Sequence, residues 1–289
     1  LRGLRARLRR SYNEHFWDER RGRYIGCIDA QGVPHDFGFT VVNLPAMAVG
    51  LADPDQARRI YDWIENQPTA TGLADAYVFR IAPRMNTEDI RGWWYFEGDK
   101  EWPGDIPFGL AFQNGGAFMF LSADDIAARL RFFGPDNAWA RYEAILERYQ
   151  LPDRLCGGNP LLLGEIDGYQ VAASVVFPEA GLAPCAFLYS FLGIDAAVDG
   201  LHIRPSLPGC LDWAGARNLS FAGARFEIRA ERRADGGHSV TVACLDNPQG
   251  RHFAVAGDRV DVGVASGVVS VPVGTELVVT TASQPGASE

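Results

Sequence analysis

From Asp75 to Gly116 the chain reads DAYVFRIAPRMNTEDIRGWWYFEGDKEWPGDIPFGLAFQNGG. Trp93, Trp94 and Trp102 stand among Glu88, Asp89, Glu97, Asp99, Glu101 and Asp105, and the stretch closes on Gln113-Asn114-Gly115-Gly116. Helical patterns lie on both sides of it. A connection this long inside a compact domain is usually functional or disordered. Its indoles and phenylalanines are too apolar to stay solvated, which argues against disorder. Flat aromatic faces beside carboxylates and amides suit a sugar. The ring's C–H face stacks on indole, the hydroxyls take hydrogen bonds, and an acid can protonate a glycosidic oxygen.

Outward from this stretch the period changes once. Residues 1–193 read as helical. Leu1, Leu4, Leu8, Tyr12 and Phe16 share one stripe, with arginines at 2, 5, 7, 9 and 10 around it. A hairpin or loop is expected between Trp17 and Asp36, turning at Gly22 and Gly32. A helix follows with Leu44, Met47, Ala48 and Leu51 inward. Asp53-Pro54-Asp55-Gln56 reads as a capping box with proline in the first turn. It opens a helix that turns Ala57, Ile60, Tyr61 and Ile64 inward. Two more helices flank Gly134. After a second long connection, residues 151–181, a last helix at about 184–192 is apolar enough to be buried, and Gly193 ends it. Trp17, Trp63 and Trp139 fall on helical stripes and are expected in the core.

The remainder alternates with period two. Ala224 to Arg232 is strictly apolar then charged, the mark of a half-buried antiparallel strand. Asp235-Gly236-Gly237 turns the chain, and Val240, Val242 and Cys244 alternate on the way back. Further short strands are expected at 260–262, 264–271 and 277–280. The expected organisation is α+β: a helical domain over 1–197 and an antiparallel β-sandwich over 198–289, with a loose tail.

Composition narrows the function. The chain has 289 residues and a formal net charge of −9. That acidity argues against a nucleic-acid partner, and no apolar run approaches the ~20 residues that span a bilayer. Cys27, Cys156, Cys185, Cys210 and Cys244 are scattered without metal-ligand spacing or a readable disulfide framework, which favours a reducing, cytoplasmic setting. No metal or cofactor is expected, and no oligomeric state is specified. The implied partner is an oligosaccharide or glycoside.

Several phrases, taken in order, carry a resemblance. They are Tyr12-Asn-Glu-His-Phe-Trp-Asp-Glu19, Gly22-Arg-Tyr24, His35-Asp-Phe-Gly-Phe-Thr40, Gly50-Leu-Ala52, Phe112-Gln-Asn-Gly-Gly116, Phe133-Gly-Pro-Asp-Asn-Ala-Trp139 and Asp199-Gly-Leu-His-Ile-Arg-Pro-Ser-Leu-Pro208. The chain resembles the six-hairpin glycosidase superfamily, whose members include glucoamylase-like, amylo-1,6-glucosidase-like, rhamnosidase-like and disaccharide phosphorylase enzymes. The resemblance implies an (α/α)6 toroid that binds sugar in a funnel at one end. About six helices are readable, half of a toroid, and the first begins mid-pattern. The chain is therefore expected to hold the second half of the barrel and its β domain. The resemblance then leaves two places for the general acid, upstream of Leu1 or in the Trp-rich stretch.

By the resemblance Glu165, in Gly164-Glu-Ile-Asp-Gly168, is the first candidate for the base of an inverting hydrolase; otherwise it caps a turn or pairs with arginine. Glu179 lies just ahead of the last helix, where the dipole stabilises a carboxylate and weakens it as a base. Glu101 and Asp105 are candidate acids. Glu97 is a candidate for hydroxyl contact, and all three equally suit water. Trp93, Trp94 and Trp102 are candidate sugar platforms or loop core. Gln113 and Asn114 can recognise hydroxyls, or Asn114 can cap a helix. Asp36, beside His35, can hold a hydroxyl at the funnel rim or cap the next helix; Thr40 can also supply that cap. Phosphate in place of water would make the enzyme a phosphorylase, with Arg80, Arg84 and Arg91 available. A non-catalytic carbohydrate-binding fragment is the other class. An epimerase or lyase fits less well, because histidines are few.

Overall fold

A computed structural model describes residues 2–66, 77–78, 82–90, 115, 121–149, 182–249, 252–256, 260–261, 267–271 and 277–282. The fold mixes helices with antiparallel strands and is α+β in class. The chain divides into two compact units, Leu1–Ala183 and Pro184–Glu289.

The first unit opens on α1 (Arg2–Phe16). Two miniature hairpins follow, β1 (Trp17–Asp18) with β2 (Arg23–Tyr24), and β3 (Cys27–Ile28) with β4 (Pro34–His35). They turn at Gly22 and Gly32, whose φ of 68° and 81° suits glycine. Trp17 thus starts a strand rather than continuing α1, and it is half-buried, because the turn at Gly22 folds β2 back against it. Next come α2 (Thr40–Ala48) and α3 (Pro54–Asn66).

The capping box at α3 forms as read. Asp53 Oδ1 accepts from the N–H of Gln56 at 2.8 Å, and Gln56 Oε1 accepts from the N–H of Asp53 at 3.0 Å. Ala57, Ile60, Tyr61, Trp63 and Ile64 face the core, joined by Leu44 and Met47 of α2 and by Tyr24. Asn43 links β2 to α2: its side chain bonds both the N–H and the C=O of Tyr24. A short pair, β5 (Tyr77–Val78) with β6 (Ala82–Pro83), precedes α4 (Leu121–Phe133) and α5 (Pro135–Tyr149). Gly134, at φ 87°, separates the last two helices.

α6 (Leu182–Ala186) spans the boundary between the units and passes directly into a π-helical turn at Phe187–Phe191. The expectation that this helix is wholly buried fails. Phe191 and Leu192 are fully buried, but Tyr189 is 65% exposed. A short helix with one buried face leaves the opposite side in water however apolar its sequence.

Two antiparallel sheets follow. The four-stranded sheet has the order β14 (Gly267–Val271), β11 (His238–Asp246), β10 (Ala224–Arg232), β9 (Trp213–Phe221). The five-stranded sheet runs β13 (Val260–Asp261), β12 (His252–Ala256), β15 (Leu277–Ala282), β8 (Gly200–Ile203), β7 (Ile194–Ala197). Phe226, Ile228, Ala230, Val240 and Val242 form the buried side of the first. Leu201, Ile203 and Val279 are buried in the second. Strands 224–232 and 238–246 fulfil the alternation. β7, β8, β9 and β12 have no counterpart among the expected strands.

His238, at the start of β11, is buried, and its Nε2 faces the N–H of Leu207 at 3.4 Å. That contact requires an unprotonated nitrogen. Burial first, and the charge of Arg232 second, hold its pKa below the ordinary histidine value. Below pH ~6.5 the unfolded chain therefore binds a proton that the folded chain refuses. Stability contributed here is whole above that pH and is lost as pH falls towards the folded pKa. The melting temperature of the parent chain is expected to drop faster between pH 7 and pH 5 than that of His238→Gln. Equal slopes in a thermal melt series would contradict this account.

Candidate functional site

Of the eleven candidate residues, Asp36 alone lies among those described. Trp93, Trp94, Glu97, Glu101, Trp102, Asp105, Gln113, Asn114, Glu165 and Glu179 lie outside the described residues. The base from which the Trp-rich stretch departs is nevertheless defined at both ends.

Its foundation is the N-terminus of α2. A helix start leaves N–H groups without intrahelical partners. The carbonyl of Met85 takes two of them, from Thr40 at 2.9 Å and Val41 at 3.4 Å. Thr40 does not cap: its hydroxyl donates to the carbonyl of Arg84. Beyond this, the N–H groups of Thr87 and Glu88 donate to the carbonyls of Gly38 and Phe37 at 2.9 and 3.0 Å. Residues 84–88 thus lie along residues 37–40 as a short non-local latch. Gly38 is required there. Its φ is 66°, and a Cβ would meet Thr87 Oγ1 and Trp63.

The same latch holds the far end of the stretch. Arg84 Nη1 donates to the carbonyl of Gly115 at 2.7 Å, and the N–H of Gly115 donates to Asn86 Oδ1 at 2.8 Å. Asn86 Nδ2 donates to the carbonyl of Glu88 at 2.8 Å, and Ile90 is buried. Two side chains, Arg84 and Asn86, therefore hold Gly115 against residues 84–88. Arg84, a possible phosphate ligand on sequence grounds, is buried in this closure.

Beside the latch sits a four-charge cluster. Asp36 Oδ2 accepts from Arg21 Nη1 at 2.6 Å and from Arg23 Nε at 2.9 Å. Its Oδ1 accepts from the N–H of Gly38 at 3.0 Å. These bonds take most of the lone pairs of a carboxylate, and the side chain is 1% exposed. Asp36 neither caps α2 nor faces water. It fixes the chain entering the helix. Arg23 also donates to Glu88 Oε1 at 2.7 Å and lies over the Trp63 ring at 4.5 Å. The hydrogen bond to Asp36 pushes the Arg21 pKa above its already high value, so the guanidinium stays charged.

Glu88 is the open member of the cluster, with half of its side chain exposed and one oxygen held by Arg23. Glu88 and Arg21 present an acceptor and a donor to solvent, chemistry that can bind hydroxyl groups. Sequence reading counted Glu88 among the acids but had no means of pairing it with an arginine 65 residues away. A second missed residue is Asp124, in the first turn of α4, whose pKa burial raises. Its neighbour Asp125 is fully buried, bonded by the Tyr61 hydroxyl and by Arg129 Nε at 2.8 and 2.9 Å. The sequence shows two adjacent aspartates and no sign of their different surroundings.

Among the described residues no group of three or more His, Cys, Asp or Glu side chains is placed to hold a metal ion. Among those same residues no helix is long and apolar enough to cross a membrane. No family model matches the chain, and a search of curated proteins finds no match.

Proposed function

We propose that the chain is part of a six-hairpin glycosidase, helical hairpins of an (α/α)6 toroid followed by a β-sandwich, and that the enzyme acts by inversion. The observation that carries this reading is the anchoring of Gly115 to Arg84 and Asn86. Residues 84–88 and Gly115, which flank the tryptophan- and acid-rich sequence, are joined there beside the N-terminus of α2. A binding loop on a rigid helical base is the usual way to place recognition residues. The buried sides of the two antiparallel sheets support the sandwich.

In this mechanism Glu101 or Asp105 protonates the leaving oxygen, unless an acid from another part of the protein does so. Glu165 takes a proton from water, which attacks the anomeric carbon from the opposite face. Inversion needs the two carboxyl groups ~6.5–9.5 Å apart to admit that water.

The test is release of reducing sugar from a panel of α- and β-linked gluco-, manno- and rhamno-oligosaccharides in phosphate-free buffer. Turnover there, with the opposite anomer as first product, is expected. Turnover only with added phosphate, giving a sugar phosphate, would replace hydrolysis by phosphorolysis. No turnover on any member would leave a carbohydrate-binding role and remove the hydrolase.

A further inference from the structure

The second unit carries an exposed tryptophan on an open sheet face. On β10, Phe226, Ile228 and Ala230 turn inward, so Glu227, Arg229 and Glu231 turn outward. The register sets Trp213 beside Glu231, Gly215 beside Arg229 and Arg217 beside Glu227. Trp213 is 53% exposed on an edge strand. Arg229 lies 3.8 Å from the centre of its ring and is itself held by Glu231 at 2.8 Å. The indole is therefore braced from one side and open to solvent.

Beside it the edge strand has no side chain. A Cβ at Gly215 would meet the carbonyl of Ile228 at 2.8 Å, so the strands come together too closely there for alanine. Arg229 fills the space beside Gly215 on its way to the Trp213 ring. Just past Arg217 the register shifts, and Asn218 takes φ 62° as the extra residue. Bulges of this kind re-aim side chains at sheet edges and beside sites.

We propose that this face is a binding surface for a neutral saccharide, with Trp213 as its platform. Charge decides against a polyanion. Arg217 pairs with Glu227 at 3.5 Å and Arg229 with Glu231 at 2.8 Å, which leaves no excess of cations for phosphates. Area decides against a protein. A stable interface wants ~1,000 Å² or more with an apolar centre, and among the described residues of β9 and β10 Trp213 is the one large apolar side chain more than half exposed. A sugar needs what is present: one flat ring for its C–H face, and fixed donors and acceptors in reach of its hydroxyls. The inference stands on this face alone and does not require the hydrolase reading.

The test is native electrophoresis of the full chain through gels containing glycogen, soluble β-glucan, galactomannan or α-mannan. At least one polymer is expected to retard it. Trp213→Leu keeps apolar bulk without a π face and is expected to weaken that retardation at least about tenfold, the scale of a tryptophan anchor. Trp213→Tyr is expected to retain much of it, whereas a merely structural tryptophan would tolerate both changes alike. Turnover of short oligosaccharides should be the same in all three proteins, so the outcome is separable from the fate of the hydrolase reading. No retardation by any polymer, or equal retardation of parent and Trp213→Leu, would overturn the proposal.

Discussion

Replacing Asp36 by alanine is expected to destabilise the Leu1–Ala183 unit by about 3–5 kcal/mol, the usual cost of stranding one member of a buried ion pair. Arg23 is the residue stranded. Its side chain is 8% exposed, and after the substitution it keeps only half-exposed Glu88 and the Trp63 ring. Arg21 is partly in water and would rehydrate at little cost. The N–H of Gly38 would also lose its acceptor where the latch meets α2. The check is a shift in denaturant midpoint at constant slope. Asp36→Asn should recover part of the loss, since an amide oxygen can still accept from Gly38. Asp36→Ala combined with Arg23→Met should recover more than either change alone predicts, because it removes the stranded charge. A loss below about 1 kcal/mol in Asp36→Ala would place the cluster with ordinary surface pairs.

Asp36 also shows where sequence reading stops. Features decided by neighbours in the chain were legible. The box at Asp53 and Gln56 needs only a spacing of three, and the two faces of Ala224–Arg232 need only alternation. Glycines at 22, 32, 134 and 193 announced turns that all have positive φ. Features decided by distant residues were not legible. The partners of Asp36 lie 15 and 13 residues away and across a hairpin, and the latch pairs residues 84–88 with 37–40. A carboxylate ahead of a helix suggests a cap or a ligand contact, and neither spacing nor residue type distinguishes these from a buried ion pair. β9 was missed for a local reason. Gly215 and the bulge at Asn218 break the alternation that would mark it as a strand.

Glu165→Gln is expected to cut turnover at least ~100-fold, the scale of a lost general base, without moving the melting temperature. The amide has the shape of the carboxylate but cannot take a proton from water. If Glu165 is the base, the kcat/KM of the parent chain should fall on the acid side as that carboxylate protonates, and the variant's residual activity should lose this limb. KM should change little, because a base acting on water contributes more to the transition state than to ground-state binding. Glu179→Gln is the comparison. Three residues ahead of the helix that begins at Leu182, its carboxylate is expected to be stabilised by the helix dipole and hence to be a weaker base, so its loss should cost less. Near-normal turnover in Glu165→Gln, or a larger loss in Glu179→Gln, would reassign the base. Either result would leave the anchoring of Gly115 intact, because its bonds to Arg84 and Asn86 owe nothing to the identity of the proton acceptor.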